Sequence, residues 1–296
     1  MNRDADLLPL IDTHAHLDIE AFDADRADLL ERCQKGDFPA PVSPIEESLS
    51  RRFSLRSLIL PGTTAASSRR ALELAESFAM IHPAVAVHPN DVHEAGLGDW
   101  AEIERLAEFP SVVAIGETGL DRYWDDAPFP LQQEWFRRHL DLAARRHLPV
   151  IIHSREADAD LLEMLRAVRA EEARTPGAIP LRGTIHSFSS GPHVAAELIE
   201  LGFYFGFTGS VTYRNQKFTP IHESAKIIPS DRILLETDSP YLTPHPFRGK
   251  LTRNEPLMTA FVAKRLAELR GVTVESIAHQ TATNAETLFG LKNRSR

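Results

Sequence analysis

The chain has 296 residues, of which 43% are hydrophobic and 25% charged, with a formal net charge of −9 and a single cysteine. This composition excludes a disordered chain and a disulfide-stapled one, since Cys33 has no partner within the chain, and it argues against a constitutive nucleic-acid coat, which needs surplus lysine and arginine. A nucleic-acid substrate stays open, because bound divalent cations and a few arginines make a locally positive cleft on an acidic body. Met1 to Leu10 carries acids and lacks the apolar run of a signal peptide, and no apolar run reaches membrane-spanning length. A cytoplasmic protein without a membrane segment is therefore expected, with a monomer as the default.

In chain order, Leu10–Thr13 is the first short strand-like run, and Gly36–Arg56, with prolines, serines and acids, follows as an insertion. Ser57–Leu60 reads as a strand, Ala71–Met80 as an amphipathic helix, and Val85–Val87 and Val112–Ile115 as two further strands. A helix over Trp135–Arg146 leads to the strand Val150–Ile152, and a helix over Asp158–Ala170 leads to a second insertion, Ala170–Pro180. The strand Gly183–Ile185, the helix His193–Leu201, the strands Phe203–Phe207 and Arg232–Leu235, and the helix Leu257–Arg270 complete the pattern. Eight strand runs alternating with helices or long loops fit an α/β fold of the (β/α)8 TIM-barrel type, as one domain over residues 1–296, better than a sandwich. Other α/β architectures remain open at this point. Both insertions, near 36–56 and 170–180, would lie on the face opposite the catalytic loops of a barrel, and the charges of Arg137, Arg138, Arg145 and Arg146 read as solvated helix surface.

His14 and His16 close the first run, and alternate residues on an extended strand face one side, so both imidazoles can address one point. Alone, the pair is equally an incidental one. Glu117, His153, His186 and Asp238 each stand at or just past the C-terminal end of a different expected strand, where barrel enzymes collect their catalytic groups. Any one of these histidines reads first as a hydrogen-bonded core residue. Six such residues at strand ends read instead as a metal site, with imidazole and carboxylate donors that suit Zn²⁺, Mn²⁺, Fe²⁺ or, with enough oxygen ligands, Mg²⁺.

The stretches Ile11-Asp-Thr-His-Ala-His-Leu-Asp, Gly116-Glu-Thr-Gly-Leu-Asp, Val150-Ile-Ile-His-Ser-Arg-Glu-Ala, His186-Ser-Phe-Ser and Leu235-Glu-Thr-Asp-Ser-Pro-Tyr-Leu closely resemble the TatD family of metal-dependent deoxyribonucleases. With Arg248-Gly-Lys and Arg253-Asn-Glu-Pro, the likeness runs nearly end to end. The resemblance implies an amidohydrolase-like barrel in which His14, His16, Glu117, His153, His186 and Asp238 hold two divalent metal ions (Mg²⁺, Mn²⁺ or Zn²⁺), Glu117 bridging them. It also implies hydrolysis of DNA from a 3′ end. The chain departs from the family pattern at Ala86, where relatives commonly have glycine ahead of the His-Pro pair His88-Pro89, and at Ser187, where they often have cysteine; neither change removes a proposed ligand.

Around those six, His88 resembles the family's His-Pro position and reads either as a hydrogen-bond donor to substrate phosphate or as structural. Arg155 offers a planar fork for phosphate or carboxylate, with a plain pairing to Glu156 or Asp158 as the alternative. Arg248, Lys250 and Arg253 lie in the proline-rich loop Ser239 to Pro256 and read equally as contacts to a nucleic-acid backbone or as ordinary surface charges. Tyr123, Trp124 and Phe129 follow the fourth strand, where rings can stack on bases or pack on neighbouring loops.

The expected mechanism uses paired cations to lower the pKa of a shared water and to stabilise charge on the attacking and leaving oxygens, with Asp238 as the base, His153 and His186 completing the second ion's shell, and Glu117, His88 and Arg155 assisting. A metal-dependent deoxyribonuclease acting as a 3′–5′ exonuclease is the leading expectation. The same chemistry suits a small amide, ester or aminoacyl substrate, and a binding scaffold without turnover is the third reading.

Overall fold

The computed structural model describes residues 7–38 and 53–294, so most of the insertion expected at Gly36–Arg56 lies outside the described residues. Strands and helices alternate along the chain: β1 (Leu8–Asp12), α1 (Arg26–Lys35), β2 (Phe53–Leu60), α2 (Ala65–Ser77), β3 (Ile81–Val85), α3 (Leu97–Leu106), β4 (Ala114–Asp121), α4 (Phe129–Arg146) and β5 (Val150–Arg155). They continue with α5 (Asp158–Arg174), β6 (Gly183–Ile185), α6 (Pro192–Glu200), β7 (Tyr204–Phe207), α7 (Thr219–Ile227), β8 (Ile233–Leu235), α8 (Thr259–Arg270) and α9 (Val274–Phe289). Sheet neighbours follow chain order from β1 to β8. The first and last strands also meet, since the Thr13 N–H donates to the Leu235 carbonyl at 2.9 Å. A parallel sheet that closes on its own first strand, with helices in its crossovers, is a (β/α)8 barrel.

The element bounds depart from the sequence reading for local reasons. β3 lies at Ile81–Val85 rather than Val85–Val87. Pro83 inside it has no N–H to give, which argues against a strand, yet its carbonyl accepts from the Val113 N–H at 2.9 Å. β4 runs on from Ala114 through Asp121, across Gly116 and Gly119, which read as breakers. β2 begins at Phe53, so the end of the expected Gly36–Arg56 insertion is strand. α2 starts at Ala65 rather than Ala71, because Thr64 caps it: Thr64 Oγ1 accepts from the Ser67 N–H at 3.1 Å and Ser67 Oγ accepts from the Thr64 N–H at 2.9 Å. α5 extends to Arg174, into the stretch read as a second insertion.

The described residues group into two compact units. One is drawn from Met1–Leu60, Ser187–Pro192 and Gly206–Glu286 and holds β1, β2 and β8. Its core includes Leu10, Phe22, Leu58, Phe207, Leu234, Met258 and Val262, all fully buried. The other is drawn from Pro61–His186, His193–Phe205 and Thr287–Arg296, with Val85, Ile115, Phe136, Ile151, Leu161 and Phe205 buried at its centre. Burial of each such side chain stabilises the fold by about 1.5–3 kcal/mol, an upper figure because a real unfolded chain is itself partly collapsed. No helix among the described residues is long and apolar enough to cross a membrane.

Candidate functional site

In the unit that contains β3 to β6, the site is built around Glu117. Pairing of β4 with β5 runs Ile115↔Val150 and then Thr118↔Ile152, so one extra residue is accommodated between them. Such a bulge re-aims a side chain, and here it falls at Gly116–Glu117. The Glu117 amide is fixed by the Gly62 carbonyl at 2.8 Å, and Glu117 is 3% exposed. Its Oε1 lies 3.0 Å from His153 Nδ1, 3.5 Å from His88 Nε2 and 3.7 Å from His186 Nε2. Thus Glu117, His153, His186 and His88 gather, His186 and His88 just past the ends of β6 and β3, and Glu117 and His153 inside β4 and β5 rather than at or beyond their C-terminal ends.

Asp121 was not singled out from sequence, although it shares the strand face of Glu117 and Gly119 by period two. Its Oδ2 lies 2.9 Å from His153 Nε2, and its Oδ1 accepts from the amides of Tyr123 at 2.8 Å and Trp124 at 3.1 Å. Burial would lift this carboxyl, but the His153 imidazole and the two amides outweigh it and hold it at about 2. Burial alone would lower His153; Asp121 and then Glu117 reverse that and raise it. Orientation by Asp121 leaves His153 Nδ1 facing the Glu117 side, the arrangement in which a carboxylate aligns an imidazole ligand. Gly119 makes this close approach possible: its φ is +149°, and a Cβ there would come within 2.0 Å of the His153 carbonyl oxygen. His88 accepts the Asn90 N–H at Nδ1 over 3.2 Å, which leaves its Nε2 on the side of Glu117 Oε1.

In the unit that contains β1 and β8, His14 Nε2 and His16 Nε2 are 3.1 Å apart, and Asp238 Oδ1 lies 3.4 Å from His16 Nε2 and 3.9 Å from His14 Nε2. Two imidazole nitrogens at that separation need a proton or a cation between their lone pairs. The backbone is over-determined here: the Asp238 N–H donates to the His14 carbonyl at 2.9 Å and the Tyr241 N–H to the Asp238 carbonyl at 2.7 Å. These bonds hold Asp238 at φ +57°, a left-handed conformation that costs a non-glycine residue about 1–3 kcal/mol.

Two further buried carboxyls of this unit escaped the sequence reading. Asp12 Oδ2 accepts from Thr237 Oγ1 at 2.5 Å, while its Oδ1 accepts from the His14 amide at 3.1 Å and the Thr237 amide at 3.0 Å. It thereby pins the chain next to both His14 and Asp238, and burial pushes its pKa up to about 8 against those hydrogen bonds. Glu236, fully buried, accepts the Ser187 N–H and occupies the space that Gly206 leaves by having no side chain. Its one signal was its place two residues before Asp238.

The candidate substrate contacts divide. Arg155 does not pair with Glu156 or Asp158 among the described residues; its guanidinium lies 3.7 Å from the Tyr123 ring centroid and 5.7 Å from that of Trp124, and both rings are about half exposed. Phe129 is covered by Arg122, 3.5 Å from its centroid. Arg248 is exposed and lies over Tyr213 at 4.0 Å, and Lys250 is exposed. Arg253 is instead engaged by the fold, donating to the Ala21 carbonyl at 2.5 Å, Asp25 at 2.5 Å and Glu255 at 3.2 Å.

The donors gathered in each unit, imidazole nitrogen with carboxylate oxygen, suit a divalent cation of the first transition row or Mg²⁺. Glu117, His88 and His153 bring their ligating atoms within 4.8 Å of one another. Comparison with known proteins agrees with this chemistry. The family described as TatD related DNase matches residues 11–290. A metal-dependent hydrolase of Bacillus subtilis, YabD, is 40% identical over 280 residues, covering 95% of this chain and 98% of its own. A protein of Edwardsiella piscicida named 3′-5′ ssDNA/RNA exonuclease TatD is 35% identical over 260 residues, covering 86% and 94%. The crystal structure of the Escherichia coli TatD homologue YjjV superposes with a TM-score of 0.80 at 30% identity, over 95% of this chain and 98% of the other. Matched nearly end to end in sequence and in fold, the chain belongs to the TatD related DNase family and is a metal-dependent hydrolase.

Proposed function

We propose that the chain acts as a monomeric, single-domain deoxyribonuclease that removes nucleotides from the 3′ end of DNA. We assign His14, His16 and Asp238 in one unit, and Glu117, His153 and His186 in the other, as the residues that would hold divalent cations. The observation that carries the reading is the buried Glu117 carboxylate faced by His153 Nδ1 at 3.0 Å and His186 Nε2 at 3.7 Å. The exonuclease named among the relatives supports the choice of bond.

When bound, such cations polarise a phosphoryl oxygen and lower the pKa of water. The chain's own groups then act as follows. Asp238, with its backbone locked, holds its carboxylate ready to orient the attacking water and accept its proton. Asp121 fixes the His153 ring, so that ligand geometry does not reorganise during reaction. The His88 Nε2–H donates to a phosphate oxygen. Arg155, stacked on Tyr123, presents its donors to the same anion from a preorganised position.

Purified protein incubated with labelled single-stranded and duplex DNA, RNA, a carboxylic ester and an amide, with Mg²⁺, Mn²⁺ or Zn²⁺, tests the reading. Mononucleotides released from the 3′ end are expected. Turnover confined to the ester or amide refutes it. Asp238→Asn keeps a side chain that tolerates the left-handed backbone and is expected to lower turnover by roughly a factor of 10³ with folding intact. Full activity in the metal-loaded variant removes Asp238 as the base.

A further inference from the structure

A cavity of about 400 Å³ lies within the unit that carries β8, between the loop after β7, the loop after β8 and α8. It is separate from the cluster of His14, His16 and Asp238 in its lining, and its charge is unusual for a chain of net −9. Arg214, Lys264 and Arg265 line it against a single acid, Glu268. Only Arg265 is paired to that acid, at 3.1 Å. Arg214 is exposed and Lys264 partly so, and neither makes an ion pair with any described residue. With Arg265 paired, Arg214 and Lys264 are two cations that share one concavity without matching acids and repel one another, so the cavity gains stability from an anion.

Its wall is built rather than loose. His245 donates its backbone N–H to Thr212 Oγ1 at 2.8 Å, and Thr212 Oγ1 donates to the Gly209 carbonyl at 2.6 Å, which fastens the two loops together. Tyr213 donates to the Thr243 carbonyl at 3.0 Å, and its ring meets His245 at 5.5 Å and the Arg248 guanidinium at 4.0 Å. Positive charge therefore runs from the cavity to Arg248. The volume falls in the range of small-molecule sites and exceeds what a bare oxyanion fills, while the exposed His245 ring offers a face for a base.

We propose that this cavity is a phosphate-recognising subsite that takes one nucleotide of a single-stranded polynucleotide at a distance from the bond being cut. It rests on the reading of the chain as a nuclease for the identity of the phosphate carrier. Lysine and arginine here hold the strand by displacing counterions, with no base specificity.

The test is fluorescence anisotropy of a labelled, hydrolysis-resistant phosphorothioate decathymidylate on metal-loaded protein, from 50 to 300 mM salt, comparing wild type with Arg214→Ala/Lys264→Ala. Loss of two phosphate contacts is expected to weaken binding at low salt by at least about tenfold and to reduce the slope of log affinity against log salt by about 1.4. Lys264→Met, which keeps the apolar stem, replaces the alanine if the double variant fails to fold. Deoxyadenosine monophosphate is expected to displace the strand from wild type at concentrations where inorganic phosphate does not. Unchanged affinity and slope in a folded variant overturn the subsite, and equal displacement by phosphate overturns the nucleotide assignment. A wild type that binds no polynucleotide overturns the nuclease reading itself, a result distinct from binding that ignores the substitution.

Discussion

His139 offers a stability prediction whose sign and size follow from its surroundings. The ring, on α4, has no solvent exposure. Its Nε2 accepts the Val87 N–H at 3.1 Å, and its Nδ1 lies 2.7 Å from the Trp135 carbonyl and 3.0 Å from Thr118 Oγ1. Since Nε2 accepts, the proton belongs on Nδ1 and goes to Trp135, and a second proton on Nε2 would face the Val87 N–H. Burial, helped by the charge of Arg138 and opposed by the Trp135 carbonyl, takes the pKa down to about 4. The unfolded chain takes up this proton near pH 6.5 and the folded chain only near pH 4. Stability from this group is therefore complete above pH 6.5 and is lost as pH falls toward 4, by roughly 3 kcal/mol over the window. That is a large share of the about 5–15 kcal/mol that holds a domain together.

Replacing His139 with glutamine removes the titration and puts an amide in place of the imidazole. At pH 7 the variant is expected to be less stable by about 1–3 kcal/mol, the cost of a poorly satisfied buried Val87 N–H. Urea unfolding of chelator-treated wild type and variant between pH 7 and pH 4.5 is the assay, because groups common to both cancel in the difference. The wild-type advantage is expected to fall by about 2–3 kcal/mol as pH falls, which closes or reverses the gap. A gap that stays constant refutes the neutral, accepting imidazole and with it the account of how Val87, next to His88, and Thr118, next to Glu117, are held.

Gly206→Ala would place a methyl 2.2 Å from Glu236 Oε2, and an overpacking loss of about 1–3 kcal/mol is expected in thermal or urea unfolding; wild-type stability would mean that Glu236 is free to move aside. Chelation is expected to abolish turnover and lower the melting temperature, and metal at a hundred times its Kd to restore about 2.7 kcal/mol, read by calorimetry; full activity after exhaustive chelation would remove the cations from the mechanism. Arg155→Ala is expected to raise KM several-fold with a smaller change in kcat, and unchanged values of both would leave Arg155 as a partner of Tyr123 alone.

What could be read from sequence was chemistry tied to residue type and strand position. His14, Glu117, His153, His186 and Asp238 follow apolar runs, and a β-rich run predicts where its own C-terminal end will be. Strand extent was harder, because Pro83, Gly116 and Gly119 look like interruptions until the carbonyl that Pro83 offers, or the bulge that Gly116 allows, is paired with a neighbouring strand. Partners chosen by packing were not legible at all. Asp12 meets Thr237 across 225 residues, and nothing near either residue announces the other. Arg155 had two acids within three positions, yet Glu156 turns away at φ +56° and Asp158 accepts from Ser154 at 3.3 Å, which leaves the guanidinium to the Tyr123 ring. Arg253 shows the converse: it shares a basic loop with Arg248 and Lys250, but Asp25 and Glu255 engage it, so equal charges in one loop come to serve unequal ends. Because a Coulomb partner is selected by the fold and not by sequence distance, the cavity at Arg214 and Lys264 had no sequence signal, and it becomes visible only as cations that packing left without acids.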